Sequence, residues 1–563
     1  MKFKLLSTIP TLLLIFSCTD LDLNPLSEGS SENWYSNEME FNMAVYDLYR
    51  HTFWPLEDGE WSDDYMRRQA LTPITSATIN GEWETAISWW GNSYKAISRA
   101  NKVLMNLDKI KGTLSQETVD KFAGNAHFVR ASQYSKLIFY FGDVVYYTGV
   151  IDLDEAFTMG RTPRQQILET IYADYDSAVL ELPLSYGSSE NKLATKGAAL
   201  AMKARIALAM GDWAIAHDAA KACIDLGVYE LYPDFGTLFL AGTKNPKELI
   251  FGLPRSKELG VIWEYVNYFL PRNNGGYGGS IAPSWDLFCS FLCSDGLPID
   301  ESPLYNPQEP FKNRDPRCTA TIVEFGTPFL GYRYQPHPDS LTTLNLNTGK
   351  YVKNNDTRGN QPYASFNGLV WKKFTDESWL PDFQAENDKI IIRYADVLLM
   401  YAEAKIELKE IDQSVLDAIN MVRARAYQVN YGSTSLYPAV TTTTQADLRT
   451  ILRVERRMEF AHESLRYWDI IRWRIAEKVL NQDIYGMLDV AALRTKIVKQ
   501  GLWFFPSTPE IDENGSADLL PMYQVGLIKR LADRQFDASK QYLWPIPSKE
   551  ILINGNLGQN PGY

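Results

Sequence analysis

An excess of basic residues is the first thing that the sequence lacks. Its 563 residues include 56 Lys and Arg against 69 Asp and Glu, which gives a formal net charge of −13. A protein that binds nucleic acid needs a positive surface that follows the phosphate backbone. We therefore expect no nucleic-acid partner.

Long apolar runs are absent after the first 16 residues, so the sequence predicts no transmembrane helix, which would need about 20 apolar residues. The one apolar run at the N-terminus, Leu5–Phe16, follows Lys2 and Lys4 and is too short to span a bilayer. It ends just before Cys18, in a segment that resembles a bacterial lipobox. We expect residues 1–17 to be a lipoprotein signal peptide and 18–40 to be a polar tether that starts at the lipidated Cys18.

Cysteine is scarce, with five residues in the whole chain. Beyond Cys18 these are Cys223, Cys289, Cys293 and Cys318. An exported chain of this length can build a core without disulfides. Two cysteines four positions apart on a helix are also poorly placed for a disulfide. We expect the four later cysteines to be small buried residues.

Motifs for catalysis and metal binding are absent as well. The patterns G-x-S-x-G, H-E-x-x-H and C-x-x-C do not occur. Glu510, Asp512, Asn514 and Gly515 resemble the start of a calcium loop, but its twelfth position is Pro521 instead of Glu. Nothing singles out two carboxylates as a glycosidase pair. The sequence therefore predicts no catalytic residue, no metal and no cofactor, and a glycoside hydrolase remains the lesser alternative.

Among the features that are present, the segment Ile451–Arg474 stands out. Its apolar residues recur at spacings of three and four, which predicts one continuous amphipathic helix. The charged residues of this segment form three pairs three positions apart: Arg456 with Glu459, Glu463 with Arg466, and Asp469 with Arg472. Tyrosine and tryptophan lie between the pairs, which indicates that part of this charge network is buried.

Within that segment, ERRMEFAHESLRYWDIIRW resembles the signature helix of the RagB/SusD family. Three further stretches resemble the same family: WWGNSYKAISRANKVL, the NRDPR of Asn313–Arg317, and the C-terminal QYLWPIPSKEILINGNLGQNPGY. With landmarks from Cys18 to Tyr563, the resemblance covers the whole chain. The family consists of outer-membrane lipoproteins of Bacteroidota that capture nutrients, mostly glycans, for a SusC-like TonB-dependent transporter.

Helical periodicity dominates from Phe41 onward and predicts a mainly α protein. The segment Thr195–Leu226 places alanines on two helices around Gly211, a pattern typical of a tetratricopeptide hairpin, and residues 391–426 predict another. Between about 245 and 388 the periodicity fades and Gly, Pro and Asn increase, which predicts a loop-rich insertion with short strands. Together with the resemblance, this predicts a SusD-like fold, with a single domain over 41–563.

Capture of a sugar requires aromatic rings for its apolar C–H faces and polar side chains for its hydroxyls. Aromatic residues make up 13% of the chain, including 15 Trp and 32 Tyr. The resemblance implies an aromatic platform, which it locates only by region. We predict Trp83 first, because its short Gly-containing loop is expected to present the ring outward. The full set of predicted ligand-binding residues is Trp61, Asp64, Arg67, Trp83, Trp263 and Tyr277.

From these observations we expect a surface-exposed lipoprotein of the outer membrane that binds an oligosaccharide and delivers it to a SusC-like transporter. The sequence does not identify the glycan. It also leaves open a peptide ligand, as in the RagB branch of the family.

Overall fold

The structure is a computed structural model that describes residues 34–68, 70–187 and 193–563. The predicted signal peptide, Cys18 and most of the predicted tether lie outside the described residues. Helices clearly predominate over strands, which confirms the predicted mainly α class. None of the helices in the described part of the chain is long and apolar enough to cross a membrane.

The helices fall into a long set that forms a scaffold and a short set within the loops. In chain order they are α1 (Glu38–Asp47), α2 (Glu84–Asn106), α3 (Gln116–Phe141), α4 (Leu153–Ala156), α5 (Arg164–Glu181), α6 (Lys196–Met210), α7 (Trp213–Asp225), α8 (Trp285–Ser290), α9 (Pro316–Thr321), α10 (Tyr394–Leu408), α11 (Gln413–Ala426), α12 (Gln445–Phe460), α13 (Arg466–Arg472), α14 (Ala476–Val479), α15 (Val490–Lys496), α16 (Leu520–Gln524) and α17 (Ser548–Ile553).

The strands are short and form small antiparallel sheets. In chain order they are β1 (Tyr65–Met66), β2 (Leu249–Leu253), β3 (Ala282–Pro283), β4 (Pro328–Phe329), β5 (Tyr332–Arg333), β6 (Thr342–Asn345), β7 (Lys350–Lys353), β8 (Lys389–Arg393), β9 (Ile484–Gly486), β10 (Glu510–Ile511), β11 (Ala517–Asp518) and β12 (Lys529–Ala532). β4 to β7 follow one another in one sheet, while β1 pairs with β3, β2 with β8, β9 with β12, and β10 with β11. In the pairing of β2 with β8, Leu253 lies opposite Lys389.

The scaffold is a series of neighbouring helices, in which α3 packs on α2 and α5, α6 on α5 and α7, and α10 on α7, α11 and α12. The α6–α7 hairpin shows why this sequence folds locally. Thr195 caps α6 by accepting a hydrogen bond from the backbone N–H of Ala198. Gly211 ends the helix with φ +81°, a left-handed conformation that glycine adopts without strain. Buried alanines such as Ala201 and Ala204 let the helices approach closely.

Helix α12 lies between the two largest hydrophobic cores. Leu448 and Leu452 belong to the core of the helical scaffold, whereas Val454 and Met458 belong to the core of the loop-rich part. The four cysteines at 223, 289, 293 and 318 are free and buried in these cores, which confirms the prediction for them.

The prediction of one continuous helix over Ile451–Arg474 is wrong. α12 ends at Phe460, and α13 begins only at Arg466. Between them His462 and Ser464 have positive φ angles of 67° and 61°, which interrupt a right-handed helix.

The charged side chains around the break between α12 and α13 form ion pairs with residues outside this segment. Glu463 binds Arg393 and Lys373 at 2.6 Å instead of Arg466. Of the three predicted pairs, only Asp469 with Arg472 forms, at 2.8 Å. The pairs Arg456–Glu459 and Glu463–Arg466 are wrong, since their members bind residues from distant parts of the chain. The predicted burial of the network is confirmed, because the side chains of these six residues are at most 7% exposed.

Glu459 of α12 is the centre of one buried cluster of ion pairs. Its carboxylate accepts hydrogen bonds from Arg393 at 2.7 Å, from Arg317 at 3.1 Å and from Arg425. Burial acts to raise the pKa of Glu459, but these guanidinium groups outweigh it and hold the pKa well below its usual range. The cluster ties α9, β8 and α11 to α12.

A second buried cluster joins α12 and α13 to the 51–67 loop. Arg466 donates two hydrogen bonds to Asp63, at 2.8 and 2.7 Å. Arg457 donates to Asp64 at 2.8 Å and to Asp286 at 2.6 Å. These pairs fix the loop that forms one wall of the candidate site.

Candidate functional site

A cavity of about 480 Å³ lies where the 51–67 loop, the 255–281 segment, the start of β8 and the break between α12 and α13 meet. Its volume is in the range of small-molecule and sugar sites. The aromatic and apolar side chains that line it are Tyr65, Trp263, Tyr265, Phe269, Ile281 and Phe374. The charged side chains that line it include Asp58, Glu60, Arg67, Arg255, Asp388 and Lys389.

Trp263 is the largest ring of the cavity and is fixed by its backbone hydrogen bonds and by the rings packed against it. Its backbone forms a bridge with Ala385 through two hydrogen bonds of 2.9 Å. Its ring packs against Phe269, with centroids 5.1 Å apart, and against the edge of Trp379 at 5.7 Å. The ring remains half-buried, so part of it faces the cavity. A rigid, partly exposed indole can act as a platform for a sugar face.

Three tyrosines form a series of neighbouring rings that begins at the cavity, and we refer to Tyr265, Tyr268 and Tyr277 as the tyrosine row. Tyr265 lines the cavity and is 65% exposed. Its ring centroid is 6.4 Å from that of Tyr268, which is 5.1 Å from that of Tyr277. Arg67 lies over the Tyr268 ring at 5.5 Å and so links the row to the cavity.

The polar side chains of the cavity are mostly engaged with one another. Arg67 donates to Glu60 at 2.6 Å. Burial, and then the nearby Asp58, raise the pKa of Glu60 to about 7, although Arg67 opposes the shift. Asp58 itself accepts the backbone N–H of Glu60 at 3.0 Å.

The break between α12 and α13 supplies another wall. His462 stacks on Trp371, with centroids 4.2 Å apart, and hydrogen bonds to the hydroxyl of Tyr65. Burial, followed by the charge of Lys373, lowers the pKa of His462 to about 3, so the ring is neutral at physiological pH. The signature segment therefore contributes to the cavity through the residues at which its helix stops.

Of the six predicted site residues, the structure brings Arg67 and Trp263 together in the cavity and places Tyr277 in the tyrosine row. Trp61 and Asp64 are wrong as ligand contacts. Trp61 is 4% exposed and packs among Trp83, Trp89, Tyr467 and Trp544. Asp64 is 2% exposed and is bound to Arg457.

The expectation that Trp83 points outward is also wrong. Its ring is half-buried and packs edge-on against Trp544 at 4.7 Å and Trp61 at 5.5 Å. The C-terminal segment covers this loop, because Ser548 donates its backbone N–H to the carbonyl of Gly81 at 2.9 Å. Trp83 therefore supports the start of α2 and does not face the cavity.

Sequence reasoning missed Glu60, Arg255, Lys389 and His462 as cavity residues. His462 lies within the signature segment, but the sequence predicts a continuous helix there and gives no signal of the break that brings His462 to the cavity. Arg255 and Lys389 come together through the pairing of β2 with β8, which joins segments more than a hundred residues apart.

No metal site accompanies the cavity, since no group of three or more His, Cys, Asp or Glu in the described ranges could hold an ion. The segment that resembles a calcium loop forms the β10–β11 hairpin instead. There the carboxylate of Asp512 accepts the backbone N–H groups of Asn514 at 2.8 Å and Ser516 at 2.9 Å.

The helical scaffold carries a cavity lined by aromatic and polar side chains, which is typical of a protein that binds a small molecule. The sequence model of the SusD family matches residues 247–563, and a model described as "Starch-binding associating with outer membrane" matches residues 32–208. The chain is 25% identical to SusD-like protein P2 of Formosa agariphila, with both chains fully covered.

Two solved structures extend the likeness. A SusD-like carbohydrate binding protein from Bacteroides fragilis is 29% identical, with a TM-score of 0.75, and the match covers 93% of this chain and 99% of that one. A laminarin binding SusD-like protein has a TM-score of 0.58 at 19% identity, with 93% and 99% covered. The chain belongs to the SusD family, and the predicted SusD-like fold is confirmed.

Proposed function

We propose that this protein captures an oligosaccharide at the outer membrane, holding it in the cavity around Trp263 and along the tyrosine row, and passes it to a SusC-like TonB-dependent transporter. The observation that carries the proposal is the row of partly exposed rings leading from a cavity of about 480 Å³. Such rings remove apolar sugar faces from water. The laminarin binding relative supports a glycan as the ligand.

Binding without turnover is part of this proposal. A glycosidase needs one carboxylic acid and one carboxylate free to act on the scissile bond. Three of the five acidic side chains that line the cavity are held in ion pairs: Glu60 by Arg67, Asp388 by Lys244, and Glu463 by Arg393 and Lys373. The other two accept hydrogen bonds within the protein, Glu57 from Tyr140 and from the backbone N–H of Trp468, and Asp58 from the backbone N–H of Glu60. These ion pairs support a binding protein over the hydrolase alternative.

Replacing Trp263 by alanine is expected to weaken oligosaccharide binding by about 1–3 kcal/mol, the range of an aromatic hot spot. Tyr265→Ala is expected to weaken binding in the same direction, and because Tyr265 is 65% exposed it tests the site without loss of packing. Calorimetry against a panel of neutral and acidic oligosaccharides measures both variants.

Trp213→Ala is the matched control, because Trp213 is a half-buried tryptophan at the start of α7 and does not line the cavity. Unchanged affinity in both Trp263→Ala and Tyr265→Ala would refute this site. Binding of peptides in place of glycans, or steady release of reducing ends by the purified protein, would refute the proposed function.

Replacing Cys18 by alanine is expected to move the protein from the membrane fraction to the soluble fraction. Cys18 is the proposed lipid attachment site, and a lipid chain contributes about 0.8 kcal/mol of membrane affinity per buried CH₂. Cell fractionation and immunoblotting make the measurement. Cys223→Ala is the control, since Cys223 is buried in the scaffold; membrane association that survives in Cys18→Ala would exclude this anchor.

A further inference from the structure

Two basic side chains in the cavity, Arg255 and Lys389, have no carboxylate within salt-bridge distance among the described residues. Arg255 donates one hydrogen bond to the backbone carbonyl of Asn387 at 3.0 Å. Its Nε is buried and makes no hydrogen bond within the described part of the chain. The guanidinium lines the cavity and its central carbon lies 6.0 Å from the ring centroid of Trp263, close to the proposed sugar platform.

Among the residues that the structure describes, Lys389 donates only to backbone carbonyls. Its ammonium donates to the carbonyls of Trp54 at 3.1 Å and His51 at 3.4 Å. Burial, followed by repulsion from Arg255, lowers the pKa of Lys389 to about 8. Burial likewise lowers the pKa of Arg255 to about 10, with the nearby Asp388 opposing the shift. Both cations therefore lack the compensation that buried charges normally have.

A third basic group adds to this positive region from the scaffold side. Lys136 of α3 donates to the carbonyl of Phe53 at 2.9 Å, in the same turn that Lys389 holds. Burial, followed by Lys389, lowers the pKa of Lys136 to about 7. His51, whose carbonyl accepts a hydrogen bond from Lys389, has a neutral ring because burial and then Lys389 lower its pKa to about 4.

The acidic groups near the cavity do not cancel this charge. Asp388 accepts a hydrogen bond from the ammonium of Lys244 at 2.7 Å. Burial raises the pKa of Glu57 to about 8, so this side chain is largely uncharged at neutral pH. Glu60 is paired with Arg67, and Glu463 with Arg393 and Lys373. Asp58 is the remaining acid of the cavity lining, and it accepts a hydrogen bond from the backbone N–H of Glu60 at the Arg67 end of the cavity.

We propose that Arg255 and Lys389 bind the anionic substituent of an acidic sugar, a carboxylate or a sulfate ester, while the sugar ring rests on Trp263. A guanidinium and an ammonium that line the same cavity, and that no described carboxylate pairs, match the oxygens of such a group. The inference rests on the proposed function and specifies the class of glycan: the ligand of this cavity is an acidic oligosaccharide.

The test uses matched pairs of oligosaccharides that differ only in charge. Oligogalacturonides are compared with their methyl esters, and carrageenan oligosaccharides with their desulfated forms, by calorimetry on the full domain. We expect at least one charged member to bind 10-fold or more tightly than its neutral partner, with an affinity that falls as salt rises. The carboxylate and sulfate pairs distinguish the two sources of charge.

Arg255→Met is the primary variant, because Lys389 also holds the turn at residues 51–54. Arg255→Met is expected to remove the preference for the charged oligosaccharide, whereas Arg255→Lys should retain part of that preference. Lys389→Met, read only where its melting curve matches the wild type, should act in the same way. Lys247→Met is the control, since Lys247 forms an exposed pair with Glu230.

Equal affinity for charged and neutral partners, or an unchanged preference in Arg255→Met, would overturn the inference. Binding of neutral oligosaccharides alone would overturn it while leaving the proposed function intact. Failure to bind any glycan would refute the proposed function itself.

Discussion

Replacing Glu459 by glutamine is expected to lower the free energy of unfolding by about 3–5 kcal/mol, the cost of breaking a buried ion pair by removing one partner. The carboxylate is 0% exposed and accepts hydrogen bonds from three arginines. Glutamine has the same shape but no charge, and one end of its amide is a donor that faces guanidinium donors. Two-state denaturant unfolding by circular dichroism measures the loss.

The stability lost in Glu459→Gln should also depend on pH. Because the pKa of Glu459 is lowered in the folded state, its ionisation contributes stability that is present above the ordinary pKa of about 4.3 and is lost as the pH falls below it. The difference in the free energy of unfolding between wild type and Glu459→Gln should therefore become smaller in acid. Glu230→Gln, which breaks the exposed pair with Lys247, is the control and should change stability little. Equal stability of Glu459→Gln and wild type would show that the cluster does not hold the fold.

The second large effect is expected from Arg466→Met, which should also cost about 3–5 kcal/mol. Arg466 is 7% exposed and donates both of its hydrogen bonds to Asp63, which is 0% exposed. Burial acts to raise the pKa of Asp63, and Arg457 and Arg466 together lower it below its usual range. In the variant Asp63 keeps only part of that compensation, so its pKa should rise.

Thermal and denaturant unfolding of Arg466→Met at several pH values check this. A carboxylate whose pKa is lowered in the folded state contributes stability at pH values above its unfolded-state pKa, and this stability is lost in acid. The difference from wild type should therefore shrink as Asp63 takes up a proton. Arg530→Met is the matched control, because Arg530 forms a more exposed pair with Asp483. A wild-type melting curve combined with lost glycan binding would mean that Arg466 serves the ligand and not the fold.

These clusters show what the sequence could predict and what it could not. Local patterns identified the helix pairs, since alanine spacing and Gly211 act within one hairpin. The same reasoning placed Arg456 and Glu459 together, because residues three apart face the same side of a helix. In the structure Arg456 instead binds Asp396 and Asp469, which only the packing of α10 and α13 against α12 brings near.

The candidate site illustrates the same limit. Trp263 and Arg67 were predicted from composition, because aromatic and polar residues in a loop are typical of a sugar site. Trp83 has the same local features, but Trp544 from the C-terminal segment packs on it. Whether a tryptophan faces solvent depends on segments hundreds of residues away. A single sequence does not show which of those segments will pack on the ring.

The pairing of Asp63 with Arg466 also bears on the order in which the chain folds. The two residues are 403 positions apart, and contacts of such long range form late and slow the folding of a domain. The hairpins of the scaffold need only neighbouring segments, so they can assemble before the distant parts of the chain are in place. The 51–67 loop, by contrast, carries aspartates whose burial requires guanidinium groups from α12 and α13. The cavity wall made by that loop is therefore among the last parts to form, and a chain that ends before Arg466 cannot complete its binding site.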